Sequence, residues 1–117
     1  MVKVYGYKGC GSCKKAWKFL DSQKIPYEKI EIIENPPSKA ELKRMAGYVE
    51  GGARKLFNVS GQVYREMGLK DKLKDMKDSE MLALLASHGK LIKRPFLLGD
   101  SFGTVGFKEE NWQELFS

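Results

Sequence analysis

The motif Cys10-Gly11-Ser12-Cys13 lies between a segment with the pattern of a β-strand and one with the pattern of an α-helix. The residues from Val2 to Tyr7 have the alternation expected of a short strand. After the motif, apolar residues follow Cys13 at spacings of three, four and seven, which is one helical face: Ala16, Trp17 and Leu20. The sequence therefore predicts both cysteines at a strand-to-helix turn.

The amino end of a helix favours thiolate chemistry. Its first backbone N–H groups lack partners within the helix, and the helix dipole stabilises negative charge there. The thiolate is the reactive form of cysteine. We expect Cys10 to be the exposed nucleophile, and Cys13, in the first helical turn, to be the resolving thiol of a disulfide exchange. Lys8, Lys14 and Lys15 add positive charge close by in the sequence.

Two other interpretations of the cysteine pair stay open at this point. A structural zinc site needs four ligands, but the chain has two cysteines and a single histidine, His88, far along the sequence. We therefore expect no bound metal. The second alternative is a pair of unreactive buried thiols, against which the helix start and the glycine between the cysteines argue. His88 itself is expected to end a helix rather than to act as a general base.

Length and composition favour one domain that functions in a reducing compartment. The chain has 117 residues, of which 42% are hydrophobic. This is enough for a hydrophobic core that needs no disulfide bond or metal ion to stabilise it. No apolar run approaches the ~20 residues of a membrane span, and the start of the chain does not resemble a signal peptide. Because close cysteine pairs in the cytosol are more often catalytic or metal-binding than structural, we expect a cytoplasmic protein with a functional pair.

The net charge of +6 is spread over a mixed surface. Lysines alternate with aspartates over residues 70–78, and no basic stripe is interleaved with aromatic residues. We therefore expect no direct contact with nucleic acid and no binding to membranes. A modest attraction for anionic small molecules remains.

The remaining segments are assigned from turn residues and periodicity. Residues 27–33 form the second strand of a βαβ unit. A Ser38-x-x-Glu41 capping box starts a helix that runs to about Ala46, with Gly47 as its terminator. Residues 53–58 are a possible short helix, residues 63–67 are helical or irregular with Gly68 at their end, and a helix runs from Asp78 or Ser79 to Ser87.

The carboxyl-terminal part returns to strands. Residues 96–98 predict a strand and residues 101–105 an antiparallel partner, followed by a helix over 108–116 with Trp112, Leu115 and Phe116 on one face. The order βαβ, helices, ββα is that of an α/β, thioredoxin-like domain. We expect a single domain, 1–117, with a mixed four-stranded sheet and a helical insertion, about 36–90, between strands 2 and 3.

Arg94-Pro95 is the second candidate for a functional element. In thioredoxin-like folds a proline before the third strand is commonly cis and lies against the active-site cysteines. Cis bonds are largely confined to X-Pro, and the sequence leaves the isomer open. At that position the Arg94 guanidinium can stabilise a thiolate or hold an anionic oxygen with two hydrogen bonds. The alternative is an ordinary surface arginine at a strand entry.

Nearly the whole chain resembles the ArsC/Spx/YffB family of bacterial thioredoxin-like proteins. The matching elements are Cys10, Ile25-Pro26, residues 53–58, residues 64–69, residues 91–95 and Val105-Gly106-Phe107. Glutathione- or glutaredoxin-linked arsenate reductases of this family use one cysteine and three arginines. Cys10 and Arg94 match two of these, whereas Asn58 and Lys108 stand where the other arginines are expected. In having a second cysteine, Cys13, the chain resembles the Spx and YffB branches.

The resemblance implies three alternative functions, each of which uses Cys10. The first is a thiol-disulfide oxidoreductase acting on a small thiol or protein disulfide, without a bound cofactor and with glutathione or another thiol as co-substrate. The second is an Spx-like, redox-sensing transcriptional regulator that binds RNA polymerase, and the third is an arsenate reductase that uses Cys10. A monomer is expected. The candidate substrate-binding residues are Lys8, Gly11, Ser12, Asn58, Pro95 and Lys108.

Overall fold

The computed structural model describes all residues, 1–117, as four strands, six α-helices and three short 3-10 turns. The strands are β1 (Val2–Gly6), β2 (Tyr27–Glu31), β3 (Phe96–Leu98) and β4 (Gly103–Val105). The helices are α1 (Gly11–Ser22), α2 (Lys39–Tyr48), α3 (Gln62–Glu66), α4 (Leu69–Lys72), α5 (Asp78–Ser87) and α6 (Glu109–Leu115). The 3-10 turns are Gly52–Leu56, Leu73–Asp75 and Gly89–Leu91.

The strands form one mixed sheet in the order β2-β1-β3-β4. β1 pairs with β2 in parallel through the α1 crossover, while β3 runs antiparallel to both β1 and β4. The elements from α2 to the turn Gly89–Leu91 are inserted between β2 and β3. The predicted α/β, thioredoxin-like sheet with a helical insertion is therefore confirmed.

The sheet separates two apolar clusters because alternate strand residues point to opposite faces. Val2, Val4 and Leu97 join Cys13 and the apolar residues of α1, and Trp112 of α6 closes this cluster. Tyr5, Phe96 and Leu98 face the other way and pack against the helical insertion. Each face of the sheet is thus covered by helices.

Gly6, at the end of β1, allows α1 to approach the strand closely. A Cβ atom at this position would lie 2.6 Å from Cζ2 of Trp17 and 3.2 Å from Sγ of Cys13. Real Cβ atoms essentially never approach other atoms closer than 3.0 Å. The absence of a side chain at Gly6 therefore sets where the amino end of α1, and with it Cys13, can sit.

Glu41 ties the insertion to the sheet. Its carboxylate accepts hydrogen bonds from the Tyr5 hydroxyl at 2.7 Å and the Lys3 ammonium at 2.9 Å, and it completes the capping box with Ser38. Burial raises the pKa of Glu41, but these hydrogen bonds outweigh it and bring the net pKa below the usual value. Burial, followed by the hydrogen bond to Glu41, raises the pKa of Tyr5.

Several predicted boundaries are wrong. Strand β2 ends at Glu31 rather than residue 33, and Gly47 lies inside α2, which continues to Tyr48. The break comes instead at Gly51, whose φ of +95° suits a residue without a side chain. The helix α4 has no counterpart in the prediction.

The predicted apolar face of the last helix is also only partly correct. Trp112 is fully buried, whereas Leu115 is 37% exposed, because this seven-residue helix turns a single large side chain into the core. None of the helices combines the length and apolar character needed to cross a membrane.

Candidate active site

The loop between β1 and α1 fixes the position of the Cys10 sulfur. The Cys10 N–H donates to the Tyr7 carbonyl at 2.9 Å, and the extended backbone of Cys10 makes it the N-cap of α1. The Cys13 N–H then donates to Sγ of Cys10 at 3.3 Å. The Cys10 thiol therefore takes the place that a serine or aspartate oxygen commonly takes at a helix start.

The two thiols have different environments. Both are free, Cys10 partly exposed and Cys13 fully buried. Burial raises the pKa of Cys13 to about 12, with help from the hydrogen bond to Cys10 and repulsion by its charge. A backbone group of Tyr7 and the charge of Arg94 oppose this rise. Cys13 is thus a neutral thiol behind a solvent-accessible one.

A cleft of about 580 Å³ opens beside Cys10, and we call it the thiol cleft. Its lining residues are Cys10, Ser12, Asn58, Ser60, Lys93, Arg94, Thr104, Val105, Gly106, Phe107, Lys108, Asn111 and Trp112. Three of these side chains are cationic and none is a carboxylate. The cleft is therefore suited to an anionic ligand.

Arg94 contributes a free hydrogen-bond donor to this region. The Arg94-Pro95 peptide bond is cis, which settles the isomer that the sequence left open. The guanidinium carbon lies 5.5 Å from the centroid of the Tyr7 ring. Its Nη1 atom is buried and has no hydrogen-bond partner. The Arg94 residue also lines the thiol cleft, so the part of its guanidinium that faces the cleft can donate to an anionic group there.

A short antiparallel pairing brings Asn58 beside Arg94. The Asn58 N–H donates to the Leu91 carbonyl at 2.7 Å, and the Lys93 N–H donates to the Leu56 carbonyl at 2.8 Å. Phe57 and Ile92 form the bridge between the two segments. These bonds join the insertion to the entrance of β3, so residues separated widely in sequence share one wall of the thiol cleft.

The opposite wall is held by Trp112. Its indole N–H donates to the Gly106 carbonyl at 3.2 Å, and the Gly106 N–H donates to the Pro95 carbonyl at 2.8 Å. Gly106 has a φ of +78°, which a glycine adopts without strain. This wall carries Lys108, the N-cap of α6.

The sequence candidates fall into two groups. Cys10, Ser12, Asn58, Arg94 and Lys108 meet in the thiol cleft. Four candidates do not line it: Lys8 and Gly11 are exposed outside it, and Cys13 and Pro95 are buried.

Sequence reasoning missed four polar residues of the thiol cleft, namely Ser60, Lys93, Thr104 and Asn111. Ser60 and Lys93 each lie within two residues of a candidate, which was an available signal. Thr104 and Asn111 enter the cleft only through the packing of β4 and α6, which no local pattern encodes.

The chain holds no group of three or more histidine, cysteine, aspartate or glutamate side chains that could hold a metal ion. His88 is exposed at the end of α5, where its backbone N–H donates to the Leu85 carbonyl at 3.1 Å.

The family model described as the ArsC family matches residues 5–115. The chain belongs to the ArsC family. A Bacillus subtilis relative, the uncharacterized protein YusI, is 47% identical over 97% of this chain and 96% of the relative.

Other members carry functional names. The crystal structure of a possible arsenate reductase from Streptococcus mutans is 36% identical, with a TM-score of 0.88 over 97% of this chain and 98% of that one. The global transcriptional regulator Spx of Streptococcus agalactiae is 24% identical over 94% of this chain and 79% of the relative. The chain is thus similar both to a possible arsenate reductase and to a transcriptional regulator.

Proposed function

We propose that this ArsC-family protein is a thiol-disulfide oxidoreductase in which Cys10 attacks a disulfide and Cys13 resolves the product. The observation that carries the proposal is the pairing of a partly exposed Cys10 with a buried Cys13 directly behind it. The substrate is a small or protein-borne disulfide, and the electrons come from glutathione or another cytoplasmic thiol. The protein acts as a monomer and needs no bound cofactor.

The first step is attack by the Cys10 thiolate on one sulfur of the substrate disulfide. A new bond forms between Cys10 and that sulfur, the substrate S–S bond breaks, and the other half leaves as a thiolate. The Cys13 N–H, which donates to Sγ of Cys10, supports the negative charge before the attack. Partial exposure of Cys10 gives the substrate access.

The second step uses Cys13, which the first step activates. Burial is the largest cause of the raised pKa of Cys13, and the hydrogen bond with Cys10 and repulsion by its charge raise it further. The two effects of Cys10 disappear once its sulfur is bound in a mixed disulfide, so the Cys13 pKa falls, although burial still holds it above its usual value. Cys13 then loses its proton to solvent and attacks the Cys10 sulfur. The Cys10–Cys13 disulfide forms, and the second substrate half leaves as a thiolate.

The cycle closes when two molecules of a thiol such as glutathione reduce the Cys10–Cys13 disulfide. They become one oxidised disulfide, so two electrons pass from the thiol pool to the substrate. Arg94 lines the thiol cleft beside Cys10, and its guanidinium can donate to an anionic group of the substrate there. Lys93 and Lys108 add charge to the same cleft and favour carboxylate-bearing disulfides.

The test is turnover of a glutathione mixed disulfide by the full chain, with a coupled assay for oxidised glutathione. We expect turnover by the natural protein and none by Cys10→Ser. Serine preserves the size and the N-cap role of Cys10, so the variant should remain folded, which circular dichroism verifies. A folded natural protein without turnover of mixed or protein disulfides would refute the enzyme proposal.

A redox-sensing regulator is the second candidate, supported by the similarity to Spx over 94% of the chain. In this role the Cys10–Cys13 disulfide would change the affinity of the protein for RNA polymerase. Capture of polymerase from extract in one redox state only, with no disulfide turnover, would favour it.

Reduction of arsenate by Cys10 is the third candidate. The similarity to the Streptococcus mutans protein and the cationic thiol cleft support it. Asn58 carries no charge and Lys108 lacks the planar fork of arginine, so oxyanion binding would depend mainly on Arg94. An arsenate reduction assay with glutathione and glutaredoxin separates this candidate from the first.

A further inference from the structure

A second cationic cleft lies next to the thiol cleft, separated from it by the chain segment that contains Asn58. It encloses about 350 Å³, and we call it the basic cleft. Five of its nine lining residues are cationic and none is acidic: Arg54, Lys55, Lys70, Lys74 and Lys93. The floor consists of the largely buried side chains of Phe57, Tyr64 and Leu73.

Alternate residues of one segment face the two clefts. Phe57 and Val59 line the basic cleft, whereas Asn58 and Ser60 line the thiol cleft. Lys93, held by its N–H bond to the Leu56 carbonyl at 2.8 Å, lines both. The basic cleft is therefore a distinct concavity that shares one wall residue with the site of Cys10.

The cations of the basic cleft are nearly all unpaired. Only Lys74 forms an ion pair, with Asp71 at 3.8 Å, and both of these side chains are exposed. Arg54, Lys55 and Lys70 make no ion pair and no side-chain hydrogen bond. Like charges gathered over an apolar floor repel one another, and an anion bound between them offsets that repulsion.

We propose that the basic cleft binds a phosphorylated small molecule. Four lysines and an arginine line one concavity, and their donors suit the oxygens of a phosphate chain, which accept many hydrogen bonds. The volume lies at the lower end of the range of small-ligand sites, about 300–1,000 Å³. Val59, 61% exposed beside these cations, offers an apolar surface for the organic part of the ligand.

The experiment is titration calorimetry of the full chain with two probes, inorganic tripolyphosphate and adenosine triphosphate. We expect both to bind, with adenosine triphosphate the tighter because its organic part contacts Val59. The double variant Lys55→Glu, Lys70→Glu should weaken the binding of both probes by at least about tenfold. These two lysines line the basic cleft and do not line the thiol cleft.

The matched control is Lys24→Glu with Lys72→Glu. It makes the same charge change at exposed lysines that line neither the basic cleft nor the thiol cleft, one of them on the same helix as Lys70. We expect it to weaken binding by less than about threefold. Equal weakening in the two double variants would mean general attraction to a cationic surface and would overturn the proposal.

Other outcomes are equally decisive. No binding of either probe, or binding of tripolyphosphate without adenosine triphosphate, would overturn the assignment to a phosphorylated organic molecule. Cys10→Ser should bind both probes as the natural protein does, so the inference stands or falls separately from the proposed thiol chemistry. Backbone amide shifts on tripolyphosphate binding should centre on residues 54–59 and 70–74, and shifts centred on Cys10 and Lys108 instead would place the anion in the thiol cleft.

Discussion

The backbone N–H of Cys13 and the sulfur of Cys10 are joined by a 3.3 Å hydrogen bond, so the second cysteine of the motif supports the first. This contact arises because Cys10 is the N-cap of α1 and Cys13 is three residues further on. The same spacing that caps the helix places the buried thiol beneath the exposed one. The geometry that caps the helix therefore also separates an exposed thiol from a buried one.

Replacing Cys13 with serine should trap the first intermediate. The backbone N–H bond to Cys10 remains, so attack on the substrate continues, but no thiol can resolve the mixed disulfide. We expect intact-protein mass spectrometry to show a stable adduct of one substrate half on Cys10. Cys10→Ser is the control and should form no adduct. Release of the adduct by Cys13→Ser as fast as by the natural protein would rule out Cys13 as the resolving thiol.

The buried Cys13 should make the folded state less stable in alkaline solution. Burial raises its pKa to about 12 in the folded protein from an ordinary value of 9.0, so the unfolded chain loses this proton first. The contribution is complete below pH 9 and declines as the pH rises towards 12. Urea unfolding between these limits should show a shallower decline for Cys13→Ala than for the natural protein. Parallel declines for the two proteins would contradict the assignment.

Arg94→Lys should impair the reaction of anionic disulfides more than that of neutral ones. Lysine keeps the charge but loses the planar fork of donors that Arg94 presents at the thiol cleft. We expect kcat/KM for the glutathione mixed disulfide to fall by about tenfold, with a smaller loss for hydroxyethyl disulfide. Arg44→Lys, which alters an arginine bound to the Gly99 carbonyl away from the thiol cleft, is the control. Equal losses for both substrates would count against anion recognition by Arg94.

Glu41→Gln should destabilise the docking of the insertion on the sheet. The charged hydrogen bonds from Tyr5 and Lys3 weaken when the acceptor is neutral, which should lower the free energy of unfolding by about 1–2 kcal/mol at neutral pH. The pKa of Glu41 is lowered from 4.5, so this stabilisation is present above that pH and disappears as the pH falls through the folded pKa. The difference between variant and natural protein in urea unfolding should shrink in acid.

The control for Glu41 is Glu50→Gln, an exposed glutamate without a side-chain hydrogen bond. It should change stability by less than about 0.5 kcal/mol. A similar loss in both variants, or a Glu41 effect that persists unchanged in acid, would mean that the carboxylate charge is not what stabilises this contact.

Gly6→Ala should destabilise the packing of α1 against β1. The added methyl group would meet Trp17 at 2.6 Å, and its relief requires displacement of α1 at a cost of about 1–3 kcal/mol. Gly11→Ala is the matched control because its Cβ would meet nothing within 4 Å and alanine favours helix. Chemical denaturation of both variants checks the prediction. Equal stability of the two would show that α1 can shift without penalty.

The sequence contained most of the information about the fold. Strand alternation, the capping box of Ser38 and Glu41, and the glycines at turns are local signals, and they predicted the mixed sheet and the element order apart from α4. Boundaries failed where tertiary packing decides. Gly47 stays helical because α2 is packed along its length, and the burial of Trp112 rather than Leu115 depends on how α6 meets the sheet.

Those residues of the candidate site that belong to a short sequence motif could be predicted. Cys10, Cys13 and Arg94 are evident from the cysteine spacing and the arginine-proline pair. Ser60, Thr104 and Asn111 enter the thiol cleft through the pairing of residues 56–58 with 91–93 and through the anchoring of Gly106 by Trp112. These contacts join distant segments, and no single stretch of sequence records them.

The most direct test of the thiol account is the rate at which iodoacetamide alkylates each cysteine of the reduced, folded protein at neutral pH, followed by peptide mapping. Cys10 is partly exposed at a helix start and Cys13 is fully buried. We predict that Cys10 reacts faster than the thiol of free glutathione under the same conditions, while Cys13 remains unmodified. A Cys10 that reacts more slowly than free glutathione, or a Cys13 that is alkylated first, would contradict the account.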